Sequence, residues 1–367
     1  MMDLKVEEQA EDTFAFSSSV ADDVWHSGKQ AGAYESWYFD ALSDDGRDAV
    51  TIRFLDDFVY STHRSVPPPN GSIIDSEAPD SVRCPAVSLT YFRDGKLLFR
   101  TKLEFPEDAF DASETEPSVK IDQNFISYRS ASYGTGYHLQ IDAATSARGR
   151  IRANFEWLVI ESDLCSERPF RAAASHRWNM VAPRCDVTGK VAVSDRKGRS
   201  GEVVQFRGTG YHDHKLDNGW LAEMVHEWHW GRAHFADSTA VYCRYRTNED
   251  DRSSTKLFVV RSSELVQYEA EFEEQNFVRS KFGLKYPRRL RLFADEGMQL
   301  SVKPIKTIDT GFYGMKFLSE MKLTLGDGGE HETTGITEYL MPGAWKHRLL
   351  TWLPEIGTRK NRGGRIF

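Results

Sequence analysis

The sequence predicts an all-β protein made of two barrel-sized halves, and three observations carry that prediction. From Tyr34 onward, apolar and polar residues alternate at period two in one stretch after another. Asp45-Gly46, Asn70-Gly71 and Asp94-Gly95 punctuate the first third in the manner of tight hairpins. No long segment carries the apolar stripe of an amphipathic helix. Many short strands at regular spacing mark a sandwich or barrel.

Residues 1–30 open with the acidic run MMDLKVEEQAEDTF and read as a flexible polar leader, without the profile of a secretory signal. A first domain spans 31–200, with strands expected at Val87–Phe92, Leu97–Leu103, Asn124–Tyr128, Tyr137–Ile141 and Ile151–Ile160. Within it, Pro67-Pro68-Pro69-Asn70-Gly71 lies in a long loop, 64–86, of the length that goes with function or mobility. A second domain, 201–352, begins with Val203–Phe206, Leu221–Trp230, Ala240–Tyr245 and Leu257–Val260. Next, Val266, Tyr268, Ala270 and Phe272 alternate with Gln267, Glu269 and Glu271, whereas a helix would place Glu269 on the apolar stripe. Leu290 and Leu292 alternate with Arg289 and Arg291, and Leu300–Val302 and Met321–Leu325 continue the pattern. The basic, Gly-containing end, 353–367, reads as a loose tail.

Composition narrows the function classes. The 367 residues carry a net charge of −8, which argues against wholesale nucleic-acid binding. No apolar run approaches the roughly 20 residues of a membrane helix. Four scattered cysteines without a CxxC pair read as free thiols, so the expected compartment is the reducing cytoplasm. Aromatic residues make up 12%, a surplus that must line something.

The richest chemistry lies in GTGYHDHKLDNGWLAEMVHEWHWGRAH, residues 208–234. At period two, Trp220, Ala222, Met224, His226, Trp228 and Trp230 share an aromatic face that is expected to turn inward. Tyr211 and Asp213 project to one side, His212 and His214 to the other. An acid beside a phenol, next to an aromatic wall, suits protonation of a greasy substrate. The histidines invite a metal, but His-Asp-His followed at a distance by His-x-x-His fits no standard zinc spacing, so no metal is expected. They more readily pair with carboxylates such as Glu227, with His226 on the apolar face near the pocket. Glu35, beside Trp37 and Phe39 in parity, reads as a pocket carboxylate or a structural ion-pair partner, and Trp37 as a candidate for contact with substrate. Phe155 and Trp157 read as inner-face residues, with Trp157 also a candidate for contact with substrate. Gly208-Thr209-Gly210 lacks the downstream glycine and helix of a dinucleotide fingerprint. Cofactor-free chemistry follows.

With these residues in view, the chain resembles the carotenoid 1,2-hydratase (hydroxyneurosporene synthase) family and its lipocalin-like relatives. GAYESWYFDALSDDGR (32–47) looks like that family's opening strand and hairpin, and HRW (176–178) matches a His-x-Trp element. GTGYHDH (208–214) matches its Gly-x-Gly-Tyr-x-Asp-His motif, HEWHWGRAH (226–234) the aromatic strand that follows, and LFADEG (292–297) and TTGITEY (333–339) resemble later blocks. The resemblance implies two packed lipocalin-like antiparallel β-barrels with a hydrophobic cavity near their contact. It also implies Asp213 as proton donor, Tyr211 as its hydrogen-bonding neighbour, and His176 and Trp178 at the reacting centre. Ser36 stands where the family often has tryptophan, and Lys215-Leu216-Asp217 where it usually turns through Asn and Gly. The family includes decalin-forming Diels-Alderases, so the substrate stays open between carotenoid, terpenoid and other polyenes.

The chemistry sets a requirement. A free aspartate is only about 0.1% protonated at pH 7, and holding it neutral costs about 4 kcal/mol, which apolar burial or hydrogen bonding must supply. Trp178, Trp228 and Trp230 are expected to steady the resulting cation, and His176 to orient or deprotonate water. The expected function is hydration or cyclisation of a hydrophobic polyene or terpenoid, with peripheral membrane contact for lipid-soluble material. The alternatives are a pericyclase that shapes a linear polyene and a non-catalytic carrier of lipophilic molecules.

Overall fold

The computed structural model describes residues 14–29, 32–58, 83–144, 149–165, 176–195, 197–219, 224–248, 253–311, 314–326, 328–342 and 359–360. Most of the 64–86 loop, and Trp220 to Glu223 of the aromatic strand, lie outside them.

Twelve strands build one large sheet. They are β1 (Phe14–Ser17), β2 (Tyr34–Ser43), β3 (Asp48–Leu55), β4 (Ala86–Arg93), β5 (Lys96–Glu104), β6 (Phe110–Ala112), β7 (Ser118–Ile121), β8 (Asn124–Ala131), β9 (Gly134–Ala144), β10 (Arg150–Glu161), β11 (His176–Ser194) and β12 (Ser200–Asp217). Their order runs β5-β4-β3-β2-β12-β11-β10-β9-β8-β7-β6, with β1 alongside β11. A closed eight-stranded barrel follows: β13 (Val225–His234), β14 (Ser238–Thr247), β15 (Ser253–Arg261), β16 (Glu264–Arg279), β17 (Lys285–Ala294), β18 (Gln299–Thr310), β19 (Gly314–Thr324) and β20 (Glu330–Leu340). Finally, β21 (Arg359–Lys360) adds a short parallel pairing to β5.

The all-β prediction holds. Asp94 and Gly95, at the β4–β5 hairpin, both take positive φ, as a two-residue turn requires. In β10 the alternation is strict, with Ile151, Ala153, Phe155 and Trp157 buried between exposed neighbours. The large sheet curls around these side chains, and Thr101 Oγ1 on β5 donates to Ala144 O at the end of β9, 2.9 Å away. Phe39, Ile52, Phe54, Leu89 and Ile141 fill the hollow with them. Inside the closed barrel, Leu257, Leu292, Leu300, Val302 and Met321 form a second core.

Sheet membership changes between Asp217 and Val225: β12 stays with the first sheet, although it follows the expected 200/201 border. In the segment read as a leader, Phe14–Ser17 pairs in parallel with His176–Asn179.

A third apolar layer joins the two bodies. Tyr38, Phe92, Trp178, Met180 and Tyr211 of the sheet meet Trp228, Trp230, Val241, Phe258 and Ile336 of the barrel. Strands β2 and β13 are therefore buried on both faces. The Trp228–Trp230 face of β13 looks out of its own barrel toward the sheet, where the sequence pattern had it facing inward. The opposite face, with Glu227 and His229, lies with Phe272, Tyr339 and Glu274.

Candidate active site

The glycines of Gly208-Thr209-Gly210 are dictated by how closely β12 approaches its neighbours. A Cβ at Gly208 would lie 1.9 Å from Leu42 O on β2, and one at Gly210 2.4 Å from Trp157 Nε1. Beyond them, Tyr211, Asp213, Lys215 and Asp217 share the face turned to the barrel, and His212 and His214 share the other. Strand pairing extends the first set into cross-strand rows. Asp213 pairs with Tyr38, Tyr38 with Arg53, and Arg53 with Ser88.

Asp213 is fully buried. Its Oδ2 accepts hydrogen bonds from Trp178 Nε1 and Tyr211 Oη, both at 3.0 Å, and Lys215 Nζ stands 3.7 Å away. Its Oδ1 has no partner among the described residues. Burial, with the Asp213 charge behind it, pushes the Tyr211 phenol well above its usual range, so Tyr211 remains a donor.

His176 is buried at the start of β11, opposite Asp217 in the β11–β12 register. Its Nδ1 donates to the Asp217 carboxylate, which leaves Nε2 without a partner among the described residues. The ring stacks on Phe14 and meets Trp228 edge-on at 5.4 Å. In the sequence Asp217 stands out only as part of an insertion, although its parity with Tyr211 and Asp213 puts it on their face. The same holds for Lys215. Its ammonium lies 6.0, 5.3 and 5.9 Å from the rings of Trp178, Trp228 and Trp230. The indoles expected to face a carbocation thus surround a lysine.

A cavity of about 500 Å³ opens between the outer face of β2–β5 and strands β18–β20 of the barrel. That volume suits a small-molecule ligand. His176, Lys215, Asp217, Trp228 and Tyr38 line it. Asp213, Tyr211, Trp178 and Trp230 stand outside its lining, with Tyr38 and Lys215 as the row and face neighbours through which Asp213 borders it.

The remaining candidates fall elsewhere. Trp37 and Trp157 belong to the hollow inside the first sheet, on the opposite side of the sheet from Asp213. Glu35, also on that side, accepts from His214 Nε2 at 2.8 Å and from Lys29 Nζ at 2.5 Å, the ion-pair role that was its second reading. His226 is half-buried where the β13–β14 register shifts, away from the cavity lining. Glu227, His229 and Glu274 come together closely enough to hold a cation. However, Arg246 and Arg244 already approach Glu227 at 3.0 and 3.7 Å and supply the positive charge there.

Among the described residues no helix is long and apolar enough to cross a membrane. Hydroxyneurosporene dehydrogenase of Chlorobaculum tepidum is 25% identical over 350 residues, covering 89% of this chain and 87% of that protein. A putative AttH of Nitrosomonas europaea shares the fold with a TM-score of 0.58 at 17% identity, over 87% of this chain and 95% of its own. CghA does so with a TM-score of 0.57 at 12% identity, over 85% and 88%. The model of the carotenoid hydratase CrtC family matches residues 133–358, a stretch that holds β9 through β20 and with them Asp213, His176, Lys215 and the three indoles. As that stretch is more than half of the 367 residues, the chain belongs to the carotenoid hydratase CrtC family.

Proposed function

We propose that the protein is an enzyme that needs no cofactor and acts on a hydrophobic polyene or terpenoid chain, with Asp213 protonating a carbon–carbon double bond. The observation that carries this reading is the asymmetry of one buried carboxyl group. Oδ2 holds two hydrogen bonds and Oδ1 holds none among the described residues. A proton on Oδ1 has no protein acceptor there to bind it, and the carboxylate left after transfer is stabilised by the Trp178 and Tyr211 donors and the Lys215 charge. Asp213 borders the cavity through Tyr38 and Lys215, and substrate reaches it by displacing the Tyr38 ring while Lys215 keeps its place against Asp213 and the indoles.

The His176–Asp217 pair supplies the second half of the reaction. Asp217 fixes the proton on Nδ1, so Nε2 presents a lone pair. In hydration, Nε2 takes a proton from water as its oxygen bonds to the cationic carbon. In cyclisation, a second double bond closes on that carbon, and Nε2 takes the proton released from the ring. Lys215 occupies the indole faces, so conjugation along the polyene spreads the transient positive charge.

The test is Asp213→Asn, assayed with an acyclic polyene in D2O by mass spectrometry. The wild-type chain should place one solvent deuteron on carbon. The variant should lose at least about 100-fold in turnover while still binding the polyene. Undiminished deuteration in the variant rules Asp213 out as donor. Product without deuterium points to a pericyclase, and binding without product in either form to a carrier.

A further inference from the structure

Burial and charge at the cavity wall do not suit a pure hydrocarbon. Arg53 lies in the Asp213–Tyr38–Arg53 row, two strands from Asp213 and so about 10 Å away on the same face. Its guanidinium rests 5.1 Å from the Tyr38 ring centre, and the residue is half-buried. Among the described residues it has neither a hydrogen bond nor an ion pair. The carboxylates of the same wall are already engaged. Asp217 holds His176, Asp309 accepts from Arg100 at 2.5 Å, and Glu338 lies 3.7 Å from Lys316. Lys316 adds a second cation, its Nζ 2.9 Å from Tyr38 Oη. Around Arg53 the wall carries hydroxyls, from Ser36, Thr51, Ser88 and Thr90.

A guanidinium taken partly out of water normally has an anion in its fork. Among the described residues no carboxylate comes within ion-pair distance of Arg53; Glu338, shared with Lys316, and Asp213 act on it only from farther away, while apolar side chains line the same cavity, Trp228 beside Leu340 and, well along the sheet, Phe92. We infer that the substrate is amphipathic: an unsaturated apolar chain ending in a carboxylate or similarly acidic head, with the head clasped by Arg53 and the chain reaching toward Asp213. This inference rests on the polyene reading above and names the substrate class within it. Arg53 lies before residue 133, outside the stretch matched by the family model.

The probes are cis-parinaric acid, a conjugated tetraene acid that fluoresces in apolar surroundings, and its methyl ester. At neutral pH and low salt the acid should bind at least about tenfold more tightly than the ester. Arg53→Gln should bring the acid to the level of the ester and leave the ester unchanged, and Arg53→Lys should keep part of the preference. The preference of the wild-type chain should also shrink as salt rises, which needs no variant. Equal binding of acid and ester by the wild-type chain overturns the inference, as does Arg53→Gln weakening both probes alike. Asp213→Asn separates the two claims, because it should preserve the preference for acid while abolishing turnover. If the preference is absent but Asp213→Asn still kills turnover, only the head-group assignment fails. If the preference stands and turnover survives, only the proton donor fails. A wild-type chain that binds neither probe sinks both.

Discussion

His214 lies one residue from Asp213 but on the opposite face of β12, with its ring between two carboxylates. Its Nε2 is 2.8 Å from Glu35 and its Nδ1 3.2 Å from Asp23, which also meets His212 Nε2 at 3.0 Å and receives the Tyr137 hydroxyl at 2.7 Å. Burial pushes His214 down, but the Asp23 and Glu35 hydrogen bonds outweigh it and lift the pKa to about 9. Burial likewise opposes ionisation of Asp23, and His212 and His214 together bring it down to about 2; Glu35 is held below the usual carboxylate range by His214, His26 and Lys29 against the same burial. The raised histidine stabilises the fold fully below its unfolded value of about 6.5 and loses that contribution as pH climbs through 9; the lowered carboxylates contribute above about 4 and fail only in stronger acid. Stability to urea should therefore be greatest near pH 5–6 and fall by at most about 3 kcal/mol toward pH 9. His214→Asn should be less stable at pH 6 and nearly flat between pH 6 and 9. A wild-type chain equally stable at both pH values would show that the ring is not charged in the fold.

Strand β12 carries that network on one face and the site on the other, and its glycines set how closely it can lie against β2 and the Trp157 side chain of β10. Gly210→Ala would drive a methyl group into the Trp157 indole, whereas Gly208→Ala would meet the Leu42 carbonyl, part of the backbone. A side chain can yield where a backbone cannot. Gly210→Ala should cost about 1–3 kcal/mol with a shift in tryptophan emission, and Gly208→Ala should cost more and disturb the β2–β12 pairing. Equal, small losses in melting experiments would mean that the strands are free to part. The strands themselves were legible, because alternation in β9, β10 and β14–β16 is a local property of the sequence. Parity alone showed that Asp213 and Tyr211 share a face. Which way the face of β13 turns was not legible, because Glu227, His229, Arg244 and Arg246 neutralise one another and so make a charged barrel-side face tolerable. The roles of Arg53 and Asp217 were not legible for a different reason. Their roles come from register between distant strands, such as Asp217 against His176 and Arg53 against Tyr38, and no local pattern encodes register.

On the scale of the whole molecule, the cavity exists only because the sheet and the barrel are held face to face, and one buried ion pair sits in that seam. Arg232 of β13 donates from Nε to Asp40 of β2 at 2.7 Å, and both side chains are almost completely buried. Burial pushes the Asp40 carboxyl up, and the Arg232 charge is the main influence opposing it. Around the pair, Tyr211 and Tyr38 meet Trp230 at 5.2 and 5.8 Å, Arg184 donates to Phe235 O at 2.5 Å, and Thr239 donates to Glu161 at 3.1 Å. Removing only the cation strands a carboxylate in a dry seam. Arg232→Met should therefore cost about 3–5 kcal/mol, while Arg232→Met combined with Asp40→Leu should recover most of that loss, because apolar side chains replace a pair whose desolvation nearly cancels its attraction. The readouts are urea unfolding and the rate of limited proteolysis. The single variant should unfold earlier and be cut faster, with the double variant close to wild type in both. Probe binding in the cavity should follow the same order, since its two walls belong to different bodies. If the double variant is as unstable as the single, the pair contributes attraction beyond its own desolvation, and the seam depends on charge more than on its aromatic layer.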